Sequence, residues 1–515
     1  MIAEESVVRD IEGWFNEKTR LIADPYFERE FFTNLIFCLD RKKTCRDIFE
    51  AVVDELSRTS ESTDETDRAL MHLFYSYQAS NFLRESYEWL PLAQGVFSLA
   101  LFRGDGKNPL KENVPQPIEA RGSTIEEFIE LIRPDARRVT SYERAWSSFI
   151  FLMGNRSTRT KALEALVEAA VFEDDILTTS LIMKSIDLSF AFAWRRTDVL
   201  MKRAFERFWR AGLNLVSSEF FNKARSLTEA KSLQAPDLAG PALSTEATEE
   251  LWRRLTEEGA ESAWEWTLDQ AKKGHSLEQL FQTLDLARGR VLAGMKWEAW
   301  SWATQSLQYA ASLRAAARWR HSSQSFYLAM SLVELARLCQ RLSLGRVSAF
   351  SNARVLEGNS MNVSKNQLVL RLDDAIERGD SVHAFELLGV ILQHKGLSHS
   401  VADRLVLEAS KQDSWTYDQS TIPTALLLTE AYESAVRLRL SEQMASDCLH
   451  GLLRFLCDQR VTALDQVRKQ GHYNDGGLYK SPFDVSGGAR IADRFVFNQM
   501  RNAQRIFVWP SEAKG

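Results

Sequence analysis

A helical apolar period that persists along nearly the whole chain limits its fold more than any motif does. In 64–83, Leu70, Leu73, Phe74 and Tyr77 recur at the three- and four-residue spacing that lines one face of an α-helix. Residues 277–288 do the same with Leu277, Leu280, Phe281 and Leu284. Two-residue alternation, the mark of a half-buried strand, is scarce, and the best strand candidates are the short runs Gln367–Leu372 and Ile506–Trp509. The expected fold is therefore all-α: an irregular helical-hairpin bundle or an α-solenoid-like array with a glycine-rich C-terminal tail.

Local signals place the boundaries. Ser276 followed by Gln279 reads as a capping box that opens a helix. Residues 381–410 read as a helical hairpin: helix His383–Lys395 stops at Gly396, and Ser398 caps its successor. Proline and glycine crowd residues 104–122 and 228–245, and a third break covers 346–363. From Gly471 the tail changes character, with Gly476, Gly477, Pro482, Gly487 and Gly488 close together. At 515 residues the chain exceeds one ordinary core, given a prior of ~100–200 residues per domain. The breaks suggest helical units over 1–103, 123–227, 246–345 and 364–470, then an extension over 471–515. Ala162–Leu166 echoes Ala384–Leu388, but no fixed repeat period emerges.

Composition narrows the partners. A net charge of -6 argues against bulk nucleic-acid binding, which needs clustered Lys and Arg. No apolar run approaches the ~20 residues of a membrane span, and the acidic start Met1–Glu5 lacks the basic-then-apolar pattern of a secretory leader. Five cysteines, Cys38, Cys45, Cys339, Cys448 and Cys457, have no zinc-ligand spacing and fit unpaired thiols in a cytoplasmic protein.

No complete catalytic signature is present: no P-loop, dinucleotide fingerprint, nucleophile elbow, zincin motif or C-x-x-C pair. Eight histidines are then the only seeds of a metal site. His321 shares a helical face with Leu328, Leu332, Leu335 and Cys339, and His383 projects beside Leu387 and Val390. His72 projects with Arg68, Tyr75 and Ala79, away from the main apolar stripe, and His275 stands just before the cap at Ser276. Converging imidazoles would hold iron or zinc. The wheel positions favour an inward course for His321, partly for His383, and an outward one for His72 and His275, so no complete four-histidine site is expected.

Two further patterns carry a possible binding role. Trp297, Trp300 and Trp319 share a face in a segment apolar on two sides, as expected for a central core helix or the wall of an aromatic ligand pocket. In the helix expected over Trp194–Gly212, Arg196, Arg203, Arg207 and Arg210 fall in one stripe, fit for an acidic partner or a solvated face. Gly487-Gly488, before a helix expected over Ala489–Arg505, could expose amides to an anion.

Three segments are similar to questin-oxidase-like proteins: Ala69–Tyr77, Gly274–Phe281 and Ile422–Ala431. The resemblance implies an all-helical fold. It also implies, for some members, oxidative opening of polycyclic aromatic quinones at a metal held by several histidines and a modified lysine. His72 and His275 match ligand positions, whereas Pro423 and Leu426 stand where a member offers His and Lys. A member that kept the scaffold and lost the metal fits this pattern. The favoured expectation is a helical scaffold that binds a protein partner, with no cofactor. The alternative is a metal-dependent oxidoreductase with iron or zinc on His72, His275, His321 and His383 and a planar substrate against Trp297, Trp300 and Trp319.

Overall fold

A computed structural model describes residues 44–59, 63–83, 89–102, 123–173, 175–211, 219–231, 233–236, 240–294, 300–319, 323–341, 365–394, 398–410, 421–438 and 440–470. Among the described residues the fold is all-α and contains no strand. The helices run α1 (Cys45–Thr59), α2 (Asp64–Phe82), α3 (Trp89–Phe102), α4 (Ile125–Leu131), α5 (Pro134–Arg137), α6 (Tyr142–Met153), α7 (Arg156–Glu173), α8 (Ile176–Ala191), α9 (Thr197–Ala211) and α10 (Glu219–Ala230). They continue with α11 (Thr245–Arg253), a π-helical turn (Arg254–Glu258), α12 (Ala260–Lys272), α13 (Leu277–Gly294), α14 (Trp300–Trp319) and α15 (Gln324–Arg341). The last are α16 (Lys365–Arg378), α17 (Ser381–Gln393), α18 (Ser398–Ser410), α19 (Thr421–Leu438) and α20 (Glu442–Gln470).

The expected capping box opens α13. Ser276 N donates to Gln279 Oε1 at 2.9 Å and Gln279 N to Ser276 Oγ at 3.3 Å. The hairpin over 381–410 is also present, as α17 and α18. Gln367–Leu372, read as a strand candidate, is helical instead and lies in α16. A short apolar run has no decisive period. Here Leu368, Leu372, Ala375 and Ile376 are buried at helical spacing while Leu370 is exposed. Ile506–Trp509, the tail from 471 and the Gly487-Gly488 pair lie outside the described residues.

The core centres on α13, where every residue from Gln279 to Ala293 is buried. It packs on α14, α15, α19 and α20, so the main contacts cross the sequence breaks and one apolar cluster runs from Cys45 to Cys457. The α13–α20 crossing is tight because glycines face each other's backbone. A Cβ on Gly451 would lie 2.1 Å from the Gly289 carbonyl oxygen, and one on Gly289 would lie 2.8 Å from Cys448 Cα. Arg288 is fully buried and ties three helices together: it donates to Ser306 Oγ at 3.0 Å on α14, and to the Ser331 carbonyl at 2.7 Å and Glu334 Oε2 at 3.1 Å on α15. Such a cation is tolerated because Nε and Nη2 find these acceptors and Nη1 lies 3.7 Å from Asp285 Oδ1. Cys45, Cys339, Cys448 and Cys457 are buried and form no disulfide among the described residues, and Cys38 lies outside them. No described helix is long and apolar enough to cross a membrane.

Candidate functional site

Helices α2, α8, α14 and α19 pack in a ring, α8 and α19 each touching both α2 and α14. Helix α8 is buried on nearly all sides, from Thr178 to Ile186 and again at Leu188 and Ser189. An apolar environment around a whole helix forces any charge on it to find compensation. Lys184 does so by donating to Gln78 Oε1 at 2.6 Å on α2, with its ammonium 3.8 Å from the centre of the Tyr75 ring. Burial pushes the Lys184 amine below its usual range, against the pull of Asp187 and Glu430. Across from it on α14, Arg314 pairs with Asp285 of α13 at 2.6 Å and Arg318 with Glu278 at 3.0 Å. For Arg314, burial works against the charge, but Asp285, Glu278 and Glu430 outweigh it and raise the group.

Asp187 of α8 and Glu430 of α19 complete the cluster. Burial pushes both carboxyls above their usual range, against Lys184 and Arg314. Both residues still keep part of their surface accessible. Tyr75 is only 1% exposed, and Glu430 and Asp187 reinforce the upward push of burial on its phenol.

Next to this charged cluster the chain builds an aromatic corner. Phe190, three residues beyond Asp187, is 66% exposed. Its ring meets Trp194 edge-on at 6.1 Å, and Trp194 meets Trp319, at the end of α14, edge-on at 6.1 Å. The Arg159 guanidinium lies 4.8 Å from the Trp194 ring, and Arg195 is exposed beside it. The turn that presents Trp194 is strained. Trp194 N donates to the Ser189 carbonyl at 2.7 Å and Ala193 N to the Phe190 carbonyl at 2.9 Å, which is a Schellman closure with Ala193 in the left-handed position. Its φ is 51°, and that of Trp194 is 66°. The same closure after α12 and after α16 uses glycine, Gly274 at 92° and Gly379 at 71°. Side chains with a Cβ pay steric energy in this region.

The histidines and arginines fall as follows. His72, expected to face away from the apolar stripe, is buried, because α2 is packed on both sides, and burial lowers its imidazole to about 3. His275, also expected to face outward, is buried at the start of α13, where burial lowers it and a backbone hydrogen bond with Pro241 opposes that. His383, read as partly inward, is exposed, with Nδ1 3.6 Å from Glu386 Oε2 on the same helix. His321 and Trp297 lie outside the described residues, as does the side chain of Trp300, so the expected burial of that tryptophan pair falls there too. Among the described residues, no three His, Cys, Asp or Glu side chains come together as a metal site.

The arginine stripe is largely spent inside the fold. Arg207 is 13% exposed and binds Asp64 at 2.8 Å, Asp67 at 3.0 Å and Asp175 at 3.0 Å, joining α9 to α2 and to the start of α8. Arg203 is buried against Glu206 at 2.7 Å, and Arg196 lies 3.4 Å from Glu50. Arg210 alone of the four is exposed. The stripe is thus a set of internal ties rather than one open face, because α9 is covered by α8 on its charged side as well as by α1 and α6.

Sequence reasoning missed Lys184, Asp187, Glu430, Tyr75 and Trp194. A signal existed for the first three: isolated charges in segments apolar all round, Leu181–Leu188 and Ile422–Ala431. None existed for the turn at Ala193, since Phe190–Arg196 contains neither Gly nor Pro. No family model, curated protein or solved structure matches the chain.

Proposed function

We propose that the protein is a helical scaffold that docks a protein partner on the corner formed by Phe190, Trp194 and Trp319. The observation that carries this reading is the left-handed pair Ala193–Trp194, which holds an indole at the surface where two sister turns relax into glycine. Strain of this kind persists where the surrounding fold over-determines it, and it concentrates at binding and switch regions. Large aromatic side chains flanked by arginine are also the residue types that dominate interface energies. The exposed Arg195 and the Arg159–Trp194 stack fit a partner segment that offers an apolar anchor flanked by carboxylates.

Affinity purification with the parent and with Trp194→Ala/Phe190→Ala tests this. A protein enriched by the parent and lost with the double variant, at unchanged helical content, supports the reading. Identical recovery with both chains refutes it.

A further inference from the structure

A pocket opens between α1 and α9, beside the turn that joins α8 to α9. Its floor is apolar: Phe49 and Val53 from α1, Phe192 from the turn and Leu200 from α9, all of them buried. The aromatic side of the floor is fixed, because Phe49 stacks on Tyr77 at 4.2 Å and on Phe192 at 5.8 Å. The side chains leave about 180 Å³ of empty space there, part of it open to solvent. At the floor there is room for about one methyl-sized group.

The mouth is charged. Glu50 and Arg196 line it, and Arg46, one turn before Glu50, has its guanidinium 4.5 Å from the centre of the Phe192 ring. Glu50 serves both cations: Oε1 lies 2.9 Å from Arg46 Nε, and Oε2 lies 3.4 Å from Arg196 Nε. The second contact is longer than the ~2.7–2.9 Å of a good charge-assisted hydrogen bond. Arg46 therefore holds the carboxylate, and Arg196, 40% exposed, only shares it. The other carboxylates nearby are engaged or turned away. Asp47 accepts from the Thr44 backbone and hydroxyl, each at 2.8 Å. Asp198, two residues after Arg196, points to a different face of α9.

We propose that this pocket binds a short-chain aliphatic carboxylic acid, with its alkyl end on Val53, Phe192 and Leu200 and its carboxylate on Arg196. The incoming carboxylate gives Arg196 the close partner that Glu50 does not, and leaves Glu50 to Arg46. A guanidinium recognises a carboxylate through two parallel N–H donors, which fixes the head of the ligand at the mouth. The alkyl end leaves water for an apolar floor. The small depth sets the chain length, since a longer chain would have to fold back out into solvent. None of Phe190, Trp194 and Trp319 lines this pocket, so the assignment does not rest on partner docking.

The test is saturation-transfer NMR on the full-length protein with isovalerate, and with isovaleramide as a control of the same shape without the charge. Saturable transfer to the isovalerate methyls is expected, with the amide about tenfold weaker. Arg196→Gln should weaken isovalerate by about tenfold and remove its advantage over the amide. Val199→Trp, which places a large ring at the mouth, should abolish transfer to both. Should that variant lose helical content, Arg196→Gln decides alone. The proposal is overturned if isovalerate shows no saturable transfer at millimolar concentration, or if acid and amide bind the parent equally. It is also overturned if Arg196→Gln, at parental helical content, still prefers the acid.

Discussion

Replacing Ala193 by glycine should stabilise the protein. Among the described residues, three helices end in the same hydrogen-bonded closure, and at the left-handed position two have glycine, at φ 92° and 71°, while the third has Ala193 at 51°. An L-residue with a Cβ pays about 1–2 kcal/mol in this region. Glycine avoids that penalty but adds about 0.5–1 kcal/mol of chain entropy to the unfolded state. The difference leaves a net gain of about 0.5–1 kcal/mol for Ala193→Gly. Gly379→Ala, at the matching position after α16, supplies the control of opposite sign and should cost about 1 kcal/mol. Urea unfolding followed by far-UV circular dichroism reads both, as an upward shift of the midpoint for the first and a downward shift for the second. An Ala193→Gly protein no more stable than the parent, alongside a destabilised Gly379→Ala, would refute the assignment of strain to this turn.

Other perturbations test the remaining packing. Gly451→Ala should destabilise by about 3 kcal/mol or abolish folding, since its Cβ would stand 2.1 Å from the Gly289 carbonyl and only a shift of α20 relieves that. Soluble expression and the urea midpoint report it. Arg207→Met should cost about 3 kcal/mol, mainly by leaving the 2%-exposed Asp67 side chain without its cation. The double variant with Asp67→Asn should recover part of that loss. His72 titrates near 3 because burial opposes its charge. The unfolded imidazole takes its proton near 6.5, so the contribution of neutral His72 is complete above about pH 6.5 and is lost as pH falls towards 3. Buried carboxyls such as Asp187, raised by burial, act in the opposite sense, their contribution fading as pH rises through their folded values. The difference between parent and His72→Gln isolates the histidine, and the stability of the variant should depend less steeply on pH between about 6.5 and 4.

The sequence carried the helical architecture because burial of α13 and the capping at Ser276 and Gln279 are local and periodic properties. It carried orientation poorly where a helix is surrounded. His72 lies off the main apolar stripe of α2, yet the helix is covered on that side too, so an amphipathic reading turns it the wrong way. His383 errs in the other direction, because α17 is apolar overall but peripheral, and Val382 beside it is 69% exposed. The run Gln367–Leu372 was too short for its period to separate strand from helix, and only the wider spacing to Ile376 does so. The charged cluster was hidden for a different reason. Its residues come from α2, α8, α14 and α19, and the long-range contacts that join those helices leave no trace in local spacing. The strain at Ala193 and Trp194 is a tertiary imposition on residues that mark no turn.

Site-specific photo-crosslinking tests the docking corner most directly. A photoreactive phenylalanine placed at position 190, where the native ring is 66% exposed, would report contacts at the corner, and one at position 382, where Val382 is 69% exposed on α17, serves as the control. The expected result is a discrete crosslinked protein from position 190 that is absent from position 382 and disappears when Trp194→Ala is added. Equal crosslinking from both positions, or a product at position 190 that survives Trp194→Ala, would contradict a partner docked on this corner.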